Sequence, residues 1–165
     1  MTIKSHPQLG YDELSKYAEL NVRVRQAVLQ HHERGDGSGY PNGLKKGDIS
    51  LFSRIIAIVD IYDALTSDSC YRSRVLPHES ADVLMGDCTL NRLDLELVKV
   101  FLKHIAIYPV GIDVMLSNAR KGQVRRVSPD FPLRPVIALY SQNENLTEEL
   151  DLLRSPTVFV TRVLT

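Results

Sequence analysis

The sequence predicts a mainly α-helical protein that ends in a small β-rich extension. From the N-terminus to about residue 107, apolar residues recur every three or four positions, which is typical of helices buried along one face. From Tyr108 onward the pattern changes to short apolar stretches separated by prolines 129, 132 and 135, which is typical of strands joined by loops. We therefore expect a helical domain over residues 1–107 and an extension over residues 108–165.

The first two helices bring three histidines into consideration. His6, which taken alone is expected to be a surface or capping histidine, precedes Pro7, and Pro7 suits a first helical turn. Residues 10–18 have helical periodicity, with Leu9, Leu14 and either Tyr17 or Ala18 expected inward. The next helix places its apolar side at Val22, Val24, Ala27, Val28 and Leu29 and leads to His31 and His32. Neighbouring helical side chains point roughly 100° apart, so both imidazoles can serve one site only if they bind different metal ions or if the helix is ending. Alternatively, they are polar groups at a helix terminus.

A glycine-rich loop follows the two histidines directly. Neutral imidazole is the commonest metal ligand, and glycines let the backbone approach an anion, so the segment suggests a metal and phosphate site. Glu33 and Asp36 are candidate acceptors for the imidazoles or loop caps, and capping is preferred for Asp36. Asn42-Gly43 indicates a turn.

A helix from Ser50, as N-cap, to about Thr66 is expected at the centre of the domain. It is apolar nearly all round, so we expect it to be buried. Asp60 interrupts the apolar run, and burying an unpaired carboxylate would cost several kcal/mol. The partner is expected to be a metal ion or, alternatively, Arg54 or Arg72. Asp63, one turn on, is read as an exposed carboxylate or as an acceptor behind the site, with the first reading preferred.

The remaining elements carry no expected chemistry. Helices are predicted from Pro77 to about Asp87 and from Leu93 to His104, with His78 and His104 facing solvent. In the extension, residues 147–149 are expected to begin a helical turn, and residues 157–164 alternate like a final strand.

Composition limits the class of protein. Lysine plus arginine and aspartate plus glutamate both total 20, so the net charge is zero and a diffuse surface for nucleic acid polymers is not expected. No apolar run approaches the roughly 20 residues that span a bilayer, and the N-terminus lacks a signal-peptide core. The cytoplasm is therefore the expected compartment. Cys70 and Cys88 have no CxxC spacing, so we expect reduced thiols.

The stretch His31-His32-Glu33-Arg34-Gly35-Asp36-Gly37-Ser38-Gly39-Tyr40-Pro41 resembles the signature of the HD-GYP family. Members are bacterial phosphodiesterases that hydrolyse the second messenger cyclic di-GMP at two or three metal ions. Asn42-Gly43-Leu44, residues 53–67 and Ile107-Tyr108-Pro109-Val110-Gly111 follow in the family's order. The resemblance implies a partial HD-type helical bundle.

The resemblance also implies roles for particular residues. It reverses the reading of His6 from a surface histidine to a metal ligand, because the family has a ligand in this His-Pro context. The implied ligands are His6, His31, His32 and Asp60, with iron or manganese favoured. Tyr40 and Arg72 are implied to contact substrate. The Gly39 to Pro41 loop is implied to border the cleft and to offer a protein contact surface; alternatively, Tyr40 only packs the loop.

Two departures from the family pattern bear on activity. The chain contains no His-Asp doublet, for which the family is also named, so it resembles the C-terminal part of the domain. Ser69 stands where the family usually has a phosphate-binding basic residue.

Three interpretations follow from these departures. The chain is a truncated cyclic di-GMP phosphodiesterase, a catalytically inactive HD-GYP-like binding or interaction module, or a remnant that folds poorly. Without further helices the apolar 50–66 helix would be exposed, so self-association is expected.

Overall fold

A computed structural model describes residues 3–67, 75–141 and 145–164 of the chain. The chain divides into two compact units, Met1–Phe101 and Leu102–Thr165. Five α-helices precede a five-stranded antiparallel sheet in the described residues, which confirms the predicted fold class. No helix among the described residues has the length and apolar character needed to cross a membrane.

The first two helices, α1 (His6–Leu14) and α2 (Val22–Gln30), pack against each other. Helix α1 begins earlier than the predicted residue 10, because the short 3-10 turn Ile3–Ser5 leads directly into it and Pro7 lies in its first turn. The predicted inward side of the pair is partly wrong. Helix α2 buries Ala27 and Gln30, while the side chains expected inside are exposed: Leu9, Tyr17, Val22 and Val24.

Helix α3 (Leu51–Thr66) confirms the predicted bounds and the predicted cap, since the side chain of Ser50 accepts a hydrogen bond from the backbone of Ser53. The prediction that α3 is buried is wrong for one side of the helix, whereas the exposure expected of its apolar side in a partial bundle is confirmed. It packs against α2 and α4 and buries Ser53, Ala57 and Ile58. Its other side is exposed at Leu51, Phe52, Ile55, Ile56 and Val59.

Helix α4 (Pro77–Thr89) and helix α5 (Leu95–Lys103) complete the helical elements. His78 is buried together with Ala81 and Leu84 of α4, so the prediction that it faces solvent is wrong. Helix α4 packs against α3, so a position in its first turn does not by itself keep His78 in solvent. His104 is exposed, as predicted.

The second unit is a sheet of strands β1 (Asp113–Leu116), β2 (Lys121–Ser128), β3 (Phe131–Tyr140), β4 (Leu146–Asp151) and β5 (Val160–Leu164) in the order β4-β3-β2-β1-β5. One face buries apolar side chains: Val114, Leu116, Val124, Ile137 and Leu139. The expected helical turn at residues 147–149 is wrong, because Glu148 and Glu149 pair with β3. The final strand is confirmed but begins at Val160.

Candidate metal centre

Three histidine side chains converge where the N-terminus of α1 lies beside the C-terminus of α2. His6 begins α1, His31 caps the C-terminus of α2, and His32 follows it. The Nε2 atom of His6 lies 3.1 Å from Nε2 of His31 and 3.2 Å from Nε2 of His32. One ligand atom from each of the three lies within 4.8 Å of the others.

This spacing fits a single metal ion. At a metal–nitrogen distance of about 2.0–2.1 Å, two ligands on one ion lie roughly 3.0–3.4 Å apart. The end of α2 makes the convergence possible, because the backbone leaves the helix after Gln30 and the rings of His31 and His32 come to 4.1 Å between centroids. Of the two conditions for sharing a site, the structure therefore meets the helix-ending one.

Backbone carbonyls orient two of the rings. The Nδ1 atom of His6 lies 2.6 Å from the carbonyl oxygen of Ile3, and Nδ1 of His31 lies 2.7 Å from that of Val28. A carbonyl only accepts hydrogen bonds, so Nδ1 carries the proton in both rings and donates it. The lone pair is thereby left on Nε2, the atom that faces the cluster, which is the arrangement usual for metal-binding histidines.

His32 is held in its neutral form. Burial and, after it, the neighbouring His31 lower its pKa to about 4, against the opposing effect of Asp60. Because a protonated imidazole cannot bind a metal, a low pKa keeps His32 available as a ligand at neutral pH.

Asp60 approaches His32 from the other edge of the ring. Its Oδ2 atom lies 3.6 Å from Nδ1 of His32, and its side chain is 42% exposed. The prediction that the Asp60 carboxylate is buried is therefore wrong, since the exposed side of α3 gives Asp60 access to solvent. Arg54 pairs with Asp94 at 2.7 Å instead of Asp60. A ligand role for Asp60 stays a prediction.

The loop after His32 returns an aromatic ring to the cluster. The ring of Tyr40 stacks on that of His32, with centroids 4.7 Å apart and planes 25° apart. The amide of Tyr40 donates to the carbonyl of His32 at 3.2 Å, and Pro41 follows it. Burial raises the pKa of the Tyr40 hydroxyl. The ammonium group of Lys4 lies 5.4 Å from the centre of the Tyr40 ring.

Three other acidic residues near the cluster, Glu33, Asp36 and Asp63, accept local hydrogen bonds. Glu33 is buried and accepts hydrogen bonds from the amides of Asn42 and Leu44. Asp36 accepts from the amide and hydroxyl of Ser38, the expected loop cap. Asp63 is exposed and accepts from the hydroxyl of Ser67 at 3.2 Å.

Two cations beside the cluster were missed by sequence reasoning, and one predicted cation lies outside the described residues. Arg34 donates to the carbonyls of His31 and Glu33, and burial lowers its pKa. Lys4, noted above, is the other. Arg34 could have been found because it lies within the histidine motif, whereas no signal singles out Lys4. Arg72 and Ser69 lie outside the described residues.

Comparisons with known proteins define the family. Residues 1–97 match the HD domain family, and residues 113–165 match a KOW domain associated with HD domains. The chain therefore belongs to the HD domain family, in its HD-GYP branch. The match of the C-terminal residues to an associated domain agrees with the predicted β-rich extension.

Several similar proteins carry a phosphodiesterase name. A cyclic di-GMP phosphodiesterase of Pseudomonas aeruginosa is 37% identical over 123 residues, which cover 74% of this chain and 29% of that protein. A cyclic di-GMP phosphodiesterase response regulator of Xanthomonas campestris is 45% identical over 42% of this chain and 19% of its own length. A 3'3'-cGAMP-specific phosphodiesterase of Vibrio cholerae is 41% identical over 47% of this chain and 18% of its own length. The chain thus spans less than a third of these relatives.

Proposed function

We propose that this chain carries part of the metal centre of a cyclic dinucleotide phosphodiesterase acting in bacterial signal transduction in the cytoplasm. The observation that carries the proposal is the convergence of the Nε2 atoms of His6, His31 and His32 at 3.1 and 3.2 Å. Three imidazole nitrogens that face one point are the arrangement a metal ion requires of its histidine ligands.

The residues of this chain would bind and orient the metal. His6, His31 and His32 would hold it through Nε2, and Asp60 would either join them or orient His32. Iron or manganese suits a site built from nitrogen and oxygen ligands. When bound, a divalent ion stabilises charge on phosphoryl oxygens and lowers the pKa of water. Lys4 and the predicted Arg72 would add positive charge for an anionic substrate.

Cyclic di-GMP is the proposed substrate. It appears in the name of the Pseudomonas aeruginosa relative that matches 74% of this chain, but other relatives, one of which matches 65% of the chain, are named for 3'3'-cGAMP. Both compounds carry two phosphodiester groups, so both belong in the assay. Tyr40, stacked on His32, is the proposed contact for the nucleotide beside the metal.

A second candidate function is a catalytically inactive interaction module. Five apolar side chains of α3 are 41–50% exposed, and the metal-binding group found among the described residues contains no carboxylate. Metal centres that activate water for phosphoryl chemistry usually include carboxylates. A chain with this site alone would bind a partner through α3 or through the Gly39 to Pro41 loop.

The test combines metal content with turnover. We expect protein purified without chelator to contain iron or manganese, and replacement of His31 by alanine to reduce the metal at least tenfold. Hydrolysis of cyclic di-GMP and 3'3'-cGAMP is measured on the same samples. His104→Ala is the matched control, since His104 is exposed and outside the cluster.

The outcomes separate the two candidates. Metal and turnover that are both lost in His31→Ala support the phosphodiesterase. Folded protein that holds metal without turnover supports the interaction module, with the histidines as a structural site. Metal content unchanged by His31→Ala would contradict the proposed centre.

A further inference from the structure

We propose that Glu33 is a positioning residue whose buried carboxylate holds the ring of Tyr40 against His32 and so sets the orientation of His32. The relevance of this orientation to metal binding rests on the proposed function. The positional role itself rests on the contacts of one short loop.

The carboxylate of Glu33 closes the loop from within. Its Oε1 atom accepts from the amide of Asn42 at 2.7 Å, and its Oε2 atom accepts from the amide of Leu44 at 2.9 Å. The residue is only 2% exposed. Each oxygen thus holds one backbone position on the far side of the loop, so the carboxylate fixes both the place and the tilt of that segment.

No ion pair accounts for the burial of this charge. Among the described residues, no lysine, arginine or histidine lies within salt-bridge distance of Glu33. A buried carboxylate is costly unless hydrogen bonds compensate it, and here backbone amides do so. An apolar residue could fill the space but could not bind those two amides, so the charge serves the loop.

The loop in turn has little freedom beside the cluster. A side chain at Gly39 would overlap the backbone of His32, Glu33 and Arg34, so this segment lies directly on the histidine motif. Tyr40 follows Gly39 and donates its amide to the carbonyl of His32. Glu33 anchors the segment after Tyr40, and Gly39 fixes the segment before it. The stacked ring is held from both sides.

The stacked ring of Tyr40 matters for the orientation of His32 because backbone carbonyls orient the other two histidines. Nδ1 of His6 and Nδ1 of His31 each contact a backbone carbonyl at 2.6–2.7 Å. Nδ1 of His32 instead lies 3.6 Å from Oδ2 of Asp60, which is longer than a hydrogen bond. Stacking on Tyr40 therefore takes the place that a carbonyl has for the other rings, and Glu33 acts on His32 through Tyr40.

The test measures the stacking in metal-free protein. A tyrosine ring 4.7 Å from an imidazole shifts the imidazole proton resonances upfield, and Tyr40→Leu gives the value without that effect. We expect Glu33→Ala to move the His32 resonances to the Tyr40→Leu value. Glu33→Gln should move them part of the way, because its amide group can accept from only one of the two backbone donors. The resonances of His6 and His31, whose rings do not stack on Tyr40, should shift less than those of His32.

Metal affinity provides the second readout. We expect Co²⁺ affinity to fall about tenfold in Glu33→Gln and Glu33→Ala, as is usual when the support of a ligand is removed. Ser38→Ala is the matched control, because it removes a hydrogen bond at the tip of the same loop without touching Tyr40. It should leave the His32 resonances and Co²⁺ affinity unchanged.

Two results would overturn the proposal. One is folded Glu33→Gln and Glu33→Ala protein with unshifted His32 resonances. The other is global unfolding of Glu33→Gln, judged by circular dichroism, which would make Glu33 a requirement of the fold and not a determinant of ring position. Neither readout uses a substrate, so failure of this proposal is distinguishable from failure of the proposed enzymatic function.

Discussion

Arg54 forms its ion pair with Asp94 and not with Asp60. Arg54 donates to Asp94 at 2.7 Å, and Lys46 lies 3.1 Å from the same oxygen. Burial alone would raise the pKa of Asp94, but the hydrogen bond and charge of Lys46, with Arg54, outweigh it and the pKa is lowered. Arg54, which the sequence suggested as a partner of Asp60, is thus paired with Asp94, and Asp60 lies beside His32.

Removing the Asp94 carboxylate should destabilise the helical unit. We expect Asp94→Asn to lower the free energy of unfolding by roughly 1–3 kcal/mol, since it leaves the mostly buried Arg54 without its anion. Urea unfolding at pH 7 measures the change. Glu96→Gln is the control, because its exposed pair with Lys99 should contribute less than about 0.5 kcal/mol. Equal losses in the two variants would contradict the argument.

The same carboxylate predicts a pH dependence in acid. The pKa of Asp94 is lower in the folded chain than the usual 3.8, so its contribution to stability is present above that value and is lost as the pH falls through the folded pKa. The difference in unfolding free energy between the original protein and Asp94→Asn should therefore shrink below about pH 4.

At the scale of the element, the start of α3 decides how α3 meets α2. The amide of Ser50 donates to Oε1 of Gln30, and the hydroxyl of Ser50 accepts from the amide of Ser53. Gln30 is the last residue of α2, directly before the histidines. The side chain of Gln30 thus joins the start of α3 to the end of α2. Through Gln30, the cap at Ser50 is connected to the segment that leads into His31 and His32.

Ser50→Ala should cost about 1 kcal/mol of unfolding free energy, the usual loss for an N-cap. Ser50→Asp should recover most of it, because aspartate caps as well as serine and its charge is favourable at a helix N-terminus. Thermal or urea unfolding of the three proteins measures this. If the alanine and aspartate variants were equally stable, the hydroxyl would not be acting as a cap.

At the scale of the whole molecule, the sequence predicts those structural features that depend on residues close together along the chain. The cap at Ser50, the bounds of α3 and the histidines at the end of α2 follow from residues a few positions apart. The burial of His78, which side of α3 is exposed and the partner of Arg54 depend on distant residues. Glu33 belongs to the second group, because its partners lie nine and eleven residues away and no periodicity indicates them.

The exposed side of α3 leads to the last prediction. Leu51, Phe52, Ile55, Ile56 and Val59 form an apolar side on one helix, and such patches mark interfaces or cause aggregation. We expect this chain to self-associate through this side with a second copy, because two identical apolar helices can bury each other around a twofold axis. Sedimentation velocity over a range of concentrations measures the association.

A charge on that side of α3 should abolish the association. Ile55→Glu places a carboxylate in the centre of the apolar side, where burial against a second copy would be costly, so we expect a monomer at concentrations at which the original chain is a dimer. Val110→Glu is the matched control, because Val110 is 67% exposed and lies in the other unit. A chain that stays monomeric at high concentration, or an Ile55→Glu variant that associates as strongly as the original, would mean that α3 is not the interface between copies.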